Sequence, residues 1–393
     1  SGALRVVVRD LGIGDRFLGN GGGEIVLDTN GARMENAAFD RLGVKLDGSV
    51  RFDGRNSYDI TCRMDRTDLS ALPAAYGFRS FQSGDLLVTG SGRLEGRIGE
   101  AKPDRIEANI QALEIRRGDD LIVANRPMRF LYQNGIVELR SFELKYRQGL
   151  FGIEGVWDPA GRTAMTLTGR DFSLLALGTL LEIPDWTVGG SLSFDGGIVG
   201  SYPALRLDSN INVKNLTFNN RSIPEITGNI GLTPDKLKLA YVTVKLNQMS
   251  IGVSGGIPLP GSGAPDSMDL ALDIASSPIN DLPLLLPEVF SNASGSIQAS
   301  LRFTGKPKAP VVAGSMAFRA DQLGLRGMNK PLRQVDIGLT TKDGLIRLDP
   351  LRATMGRGVF EGGGNIDFQS GIGSVSAKLS GQKLDLNWNG IDI

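Results

Sequence analysis

Histidine is absent from the 393-residue sequence, and Cys62 is its one cysteine. Catalysis by a histidine base, zinc sites built from cysteine clusters and disulfides within the chain are therefore excluded. Two paired carboxylates, the arrangement that hydrolyses glycosides, are the acid and base chemistry that remains. The Asp and Glu residues are scattered over polar strand positions and turns, and no pair is set apart. The sequence thus predicts a protein that is not an enzyme, with no catalytic residue, no metal site and no cofactor.

The charges of the chain balance, with 43 acidic and 43 basic residues. A balanced chain lacks the broad positive field that attracts nucleic acid, so no nucleic-acid partner is predicted. Gly occurs 53 times and aromatic residues make up 6% of the chain, a composition that favours many short strands joined by tight turns. No apolar run reaches the ~18 residues that a membrane-spanning helix needs.

A repeat of about 105 residues runs through the sequence. Its mark is an alternating strand, a polar break and then an apolar segment, and it begins at Tyr58, Thr163, Met268 and Ser374. This phase divides the chain into a partial repeat at 1–57, repeats at 58–162, 163–267 and 268–373, and the start of a further repeat at 374–393. Because both ends fall inside a repeat, we expect 1–393 to be a single elongated array cut from a longer chain.

Alternation of apolar and polar residues, which indicates a strand with one solvated face, is clearest at residues 205–213 and 296–304. Such strands belong to antiparallel sheets with one wet side. Cys62 occupies an alternating position of the same kind and is predicted to pack with apolar side chains. The apolar positions that we predict to line a groove are Leu205, Leu207, Ile211, Val213, Ile297, Leu301 and Phe303.

Three apolar stretches with helix-like spacing separate groups of strands, at residues 69–78, 172–183 and 279–290. Over the whole chain the sequence predicts about 25 strands. Open twisted sheets seldom exceed ~10 strands without curling or splitting. The predicted fold is all-β. It is an elongated, curled antiparallel sheet built from repeats of about 105 residues with short helical connectors.

A curled sheet with one apolar face leaves three functions open. An open trough exposes more apolar area than the few hundred Å² usual on a soluble monomer, so guest molecules such as lipid acyl chains must fill it. A trough sealed by its own side chains is a structural β-scaffold. An exposed strand edge pairs with client β-strands, as an outer-membrane protein assembly factor does. Medium-sized aliphatic residues and many glycines favour the groove.

The repeat at 268–373 carries residues that point to a family. Leu-Pro-Leu-Leu-Leu-Pro-Glu-Val-Phe at 282–290 precedes Gly-Ser-Ile-Gln-Ala-Ser-Leu-Arg-Phe-Thr-Gly at 295–305 and Pro-Lys-Ala-Pro at 307–310. Leu-Arg-Ala-Thr-Met-Gly-Arg-Gly-Val-Phe-Glu-Gly-Gly follows at 351–363. This order resembles the TamB family, which belongs to the AsmA-like, repeating β-groove lipid-transfer proteins of the bacterial envelope.

The resemblance implies that the sheet is a β-taco, or repeating β-groove, and that the protein is a periplasmic, bridge-like lipid-transfer protein. Its apolar groove then carries phospholipid acyl chains between the inner and outer membranes. It implies an anchor in the inner membrane, outside this sequence, and contact with an outer-membrane barrel of the Omp85 type, similar to TamA. Help in outer-membrane protein assembly is the alternative function that the same resemblance implies.

Overall fold

The computed structural model describes almost the whole chain. The described residues are 2–13, 16–39, 43–52, 54, 56–70, 85–100, 102–117, 120–180, 187–218, 221–259, 267–307, 309–328, 330–342, 345–367, 374–382, 387–388 and 391–392. Hydrogen bonding assigns the first 24 strands to one antiparallel sheet. The predicted all-β class with an antiparallel sheet is confirmed. The division into repeats of about 105 residues remains a prediction.

The strands and helices follow one another in chain order. The first twelve strands are β1 (Gly2–Ile13), β2 (Arg16–Asp28), β3 (Gly31–Phe39), β4 (Val44–Arg51), β5 (Ser57–Asp68), β6 (Leu86–Arg97), β7 (Arg105–Arg117), β8 (Asp120–Ala124), β9 (Met128–Gln133), β10 (Ile136–Tyr146), β11 (Gly149–Trp157) and β12 (Thr163–Ser173). The next elements are α1 (Leu174–Leu180), β13 (Gly189–Ser201), β14 (Ala204–Phe218), β15 (Arg221–Leu232), β16 (Lys236–Lys245), β17 (Ser250–Pro258), β18 (Met268–Pro278) and α2 (Leu282–Leu285). The last are β19 (Phe290–Lys306), β20 (Ala309–Leu325), β21 (Leu332–Lys342), β22 (Leu345–Met355), β23 (Gly358–Asp367), β24 (Ser374–Gln382), β25 (Asn387–Trp388) and β26 (Ile391–Asp392).

Two compact units divide the chain. The first unit comprises residues 1–172 and 196–205, and the second comprises residues 173–195 and 206–393. Within each unit, consecutive strands pair in antiparallel register, as short turns require. In the first unit the short strands β8 and β9 each pair with β7 on one side and with β10 on the other. Residues 125–127 separate the two short strands.

β-Bulges recur along the strands. The register shifts between Met64 and Thr67 in β5 and between Ile274 and Ser277 in β18. Arg66, inside the first of these shifts, has a φ of 45°. An extra residue bends the strand and increases its twist. The sheet thus contains the local devices that a curled sheet needs.

Each unit contains a cluster of buried side chains among its described residues. In the first unit the cluster centres on Val88, Leu113 and Met128. In the second unit the cluster lies beside α2 and the β16–β17 turn. We call it the α2 cluster. Its buried members are Leu246, Met249, Ile274, Ile279, Leu282, Ile297, Ala299, Phe318, Ala320, Leu323 and Val335.

Two of the predicted helical connectors contain helix. The stretch at 172–183 holds α1 at Leu174–Leu180, and residues 181–183 lie outside the described part. The stretch at 279–290 forms the single turn α2, with proline at its start, where a missing N–H costs nothing. Most of the stretch at 69–78 lies outside the described residues.

Candidate functional site

Pairing in the second unit places aliphatic residues side by side on one face of the sheet. A row of directly paired residues crosses the strands from β14 to β20. We call it the Leu301 row, and its members are Ile211, Gly228, Val242, Val253, Leu272, Leu301 and Gly314. None of these side chains carries a charge or a hydrogen-bonding group.

A second row lies beside the first, toward the β15–β16 turn. We call it the Phe303 row, and its members are Ser209, Ile230, Leu239, Gly255, Leu270, Phe303 and Val312. Ser209 is its one polar residue, and its hydroxyl donates to the carbonyl of Asn210 at 3.1 Å. The Leu301 row, the Phe303 row and the α2 cluster together form the surface that we call the apolar face.

The opposite face of the same strands is polar. One paired row there consists of Asn212, Thr227, Thr243, Gly252, Asp273, Ser300, Ser315 and Thr340. Each member directly precedes or follows an apolar position in the sequence. Because successive side chains of a strand point to opposite faces, the polar row lies on the face opposite the apolar rows. The two faces therefore differ in kind across the whole group of strands.

Burial changes along the apolar face. Within the α2 cluster, Ile279 is 0% exposed and Met249 is 2% exposed. Leu301 and Phe303 are partly buried, and Leu232, farther toward the β15–β16 turn, is 40% exposed. The face is thus filled by its own side chains near α2 and accessible farther along the strands.

The structure places the predicted groove residues on two strands, β14 and β19. Leu207, Ile211 and Val213 lie on β14 and are partly buried. Leu301 and Phe303 lie on β19 in the two accessible rows, while Ile297, also on β19, is 9% exposed and belongs to the α2 cluster. Leu205 is partly buried on β14 and belongs to the first unit. Pairing brings Ile211 and Leu301 into a single row.

Other members of the rows were missed at the sequence level. Val242 and Leu239 lie in β16, whose sequence Lys-Leu-Lys-Leu-Ala-Tyr-Val-Thr-Val-Lys alternates as clearly as that of β14. Leu270 and Leu272 lie in β18, which alternates in the same way. The alternation signal was therefore present, but which strands share a row depends on register and bulges.

The first unit has an apolar row of its own. Its members are Ile25, Met34, Gly48, Ile60, Leu94, Ile106, Tyr132, Val137 and Trp157. Cys62 lies in the next row, between Leu46 and Gly92. Its side chain is partly buried, and burial raises the pKa of the thiol. Cys62 thus packs among apolar neighbours, and its thiol is held in the neutral form.

Arginine–carboxylate pairs cover the polar face. Arg93 binds Asp59 with both Nε and Nη2, at 2.9 and 2.7 Å, and Arg302 binds Asp269 in the same way at 2.7 and 2.6 Å. These hydrogen bonds lower the pKa of both carboxyl groups. Exposed pairs of this kind add little to the stability of a fold. Their main consequence is a face that stays charged and hydrated.

Tyr146, at the β10–β11 turn, is a buried tyrosine with a raised pKa. It is 3% exposed and its ring lies 6.3 Å from that of Phe172. Burial raises its pKa from 10.0 to about 12, and the negative charge of Asp120 adds to the rise. The phenol of Tyr146 and the guanidinium of Arg147, which binds Asp120 at 2.8 Å, lower the pKa of Asp120.

We expect Tyr146 to ionise at a higher pH than a free tyrosine does. Because its pKa is raised in the fold, its contribution to stability is complete below pH 10 and is lost as the pH rises toward about 12. Absorbance of the phenolate during a pH titration measures this step. Tyr146→Phe should remove the step and flatten the decline of stability over that pH range, and an unchanged titration in this variant would contradict the assignment.

Two further searches of the described residues concern metals and membranes. No group of three or more Cys, Asp or Glu side chains in the described part is placed to hold a metal ion. Among the described helices, none has the length and hydropathy for a membrane span. Comparison with known proteins gives no matching family model, no matching curated protein and no matching solved structure.

Proposed function

We propose that the chain is part of a periplasmic lipid-transfer bridge whose apolar groove carries phospholipid acyl chains between the inner and outer membranes. The observation that supports this proposal most is the Leu301 row, an unbroken line of aliphatic residues and glycines across neighbouring strands. The resemblance to the TamB family supplies the location, the inner-membrane anchor and an outer-membrane partner of the Omp85 type.

The chemistry of the apolar face restricts what a guest can be. The backbone N–H and C=O groups of paired strands are engaged in the ladders, so the face of the sheet offers hardly any hydrogen bonds. A polar guest or a peptide backbone would lose its own hydrogen bonds there at a cost of about 1–3 kcal/mol for each unsatisfied group. An acyl chain has none to lose, and burying it is favourable by about 0.8 kcal/mol for each CH₂ group.

The test is to purify the chain from a bacterial envelope fraction, extract it and identify bound lipid by mass spectrometry. Transfer of a fluorescent phospholipid between donor and acceptor vesicles of phosphatidylethanolamine and phosphatidylglycerol then measures activity. We expect co-purified phospholipid and faster transfer with the protein than without it. A folded chain that carries no lipid and does not accelerate transfer would refute the proposal and favour a scaffold.

Cys62 gives an independent test in the first unit. Its Sγ lies over Gly92, where an added Cβ would come within 2.9 Å, so the thiol faces the side of the sheet that carries the apolar rows. We expect bound lipid to slow alkylation of Cys62 by roughly tenfold relative to delipidated protein, because access governs thiol reactivity. The rate of maleimide labelling measures the effect.

The matched control moves the thiol to the other face. Ser91 precedes Gly92 and is exposed on the polar side of β6, so Ser91→Cys combined with Cys62→Ala should label at the same rate with and without lipid. Equal protection at both positions would mean that lipid alters the protein globally and does not occupy the apolar rows.

A further inference from the structure

The connection between β18 and β19 is longer than its ends require. The two strands are antiparallel neighbours, and such neighbours are joined by as few as two residues. Here residues 279–289 leave β18, and α2 contacts β15 as well as β19. The buried side chains of Ile279 and Leu282 belong to the α2 cluster. The segment therefore reaches across the neighbouring strands before it returns.

Several polar contacts fasten this segment. The N–H of Ile279 donates to the carbonyl of Gly295 on β19 at 3.2 Å, and the N–H of Arg326 donates to the carbonyl of Val289 at 2.9 Å. Glu288 pairs with Arg221, the first residue of β15, at 3.5 Å. A further contact, made by Asp281, ties the segment to the β16–β17 turn.

Asp281 is 3% exposed, and its carboxylate accepts three hydrogen bonds from that turn. The N–H groups of Gln248 and Met249 donate to Oδ2 at 2.6 and 3.1 Å, and Nδ2 of Asn247 donates to Oδ1 at 3.3 Å. A carboxylate is expensive to bury without such partners. Hydrogen bonds to a charged group are about twice as strong as neutral ones, so Asp281 is the strongest single fastening of the segment.

Little in the segment would hold its conformation alone. α2 is a single turn, and isolated helices of this length are unstable in water. Leu284 and Leu286, on its outer side, are 36% and 39% exposed. Its order therefore depends on the α2 cluster beneath it and on its fastenings.

We infer that residues 279–289 form a strap, latched by Asp281, that occupies the α2 end of the apolar face. Leu282 and Leu285 of the strap fill space against Ile223 and Met249 that a guest chain could otherwise take. The strap thereby confines a guest to the Leu301 and Phe303 rows. That the guest is an acyl chain rests on the proposed function. The latch itself is independent of that proposal.

The first experiment tests the latch without lipid. Asp281→Asn keeps the shape of the side chain, removes the charge and turns one acceptor into a donor that faces other donors. We expect exchange of the Gln248 and Met249 amide hydrogens to quicken by at least about tenfold, as loss of a charged hydrogen bond implies. Asp235→Asn, in the exposed β15–β16 turn, is the control and should leave these amides unchanged.

A milder variant keeps the latch testable if Asp281→Asn does not fold. Asn247 is exposed and supplies the longest of the three hydrogen bonds, so Asn247→Ala should fold and speed exchange at the two amides less than Asp281→Asn does. Unchanged exchange in both folded variants would overturn the latch.

The second experiment locates the guest. A photo-crosslinking amino acid is placed at Phe303 or at Ile297, and the protein is loaded from vesicles of phosphatidylethanolamine and phosphatidylglycerol. In the wild-type background we expect lipid adducts at position 303 and few at 297, and Asp281→Asn should raise the yield at 297 severalfold. Equal yields at both positions in the wild type would overturn the confinement. If neither position gave lipid adducts, the proposed function would be refuted. The latch would then be judged by the amide-exchange result alone.

Discussion

Leu301→Arg is expected to stop phospholipid transfer while the sheet stays folded. Leu301 is partly buried near the β20 end of its row, so the long arginine side chain can reach water with its charged end. A guest acyl chain that moves from strand to strand must then pass a charge in an apolar channel, which costs several kcal/mol. Even 1.4 kcal/mol lowers occupancy about tenfold. The vesicle transfer rate and the lipid content of the purified variant measure the effect.

The neighbouring residue provides the control. Ser300 points to the polar face, where its hydroxyl donates to Asp273 at 2.8 Å. Ser300→Arg adds the same charge one residue away and should transfer lipid at the wild-type rate. Ile211→Asp, at the other end of the Leu301 row, should reproduce the loss. Normal transfer by the folded Leu301→Arg protein would exclude this row as a conduit.

The class of the fold could be predicted from the sequence because the alternation of β14 and β19 is nearly perfect. Period-2 patterns report directly which side chains share a face of one strand. The same reasoning identified both Ile211 and Leu301 as members of an apolar face. That they belong to one row required the observed register, since the shift in β16 between Leu239 and Val242 changes the pairing.

The burial of Ile297 could not be predicted in the same way. Its alternation is as regular as that of Phe303, yet Ile297 lies in the α2 cluster and Phe303 in an accessible row. The difference arises from residues 279–289, which pack over one end of the face. Asp281 looks like an ordinary turn residue in the sequence, and its role depends on the distant β16–β17 turn. Long-range contacts of this kind leave no local pattern.

Gly295→Ala is expected to be among the most destabilising single-methyl changes in the second unit. Gly295 has a φ of 137°, a region that is essentially restricted to glycine. An added Cβ would also collide with the carbonyl oxygen of Arg319 on β20. Strain and collision together predict a loss of about 3 kcal/mol or more. Chemical denaturation followed by circular dichroism measures the change in the free energy of unfolding.

Gly356 separates the two causes of this loss. Its φ is 60°, and an added Cβ would meet no atom within 4 Å, so Gly356→Ala carries the backbone strain of a left-handed residue without a collision. That strain is about 1–2 kcal/mol. If the two variants were equally stable, the close approach of β19 and β20 at Gly295 would not exist in solution. Because Gly295 also accepts the first hydrogen bond of the strap, Gly295→Ala should in addition quicken amide exchange at Ile279, which Gly356→Ala should not.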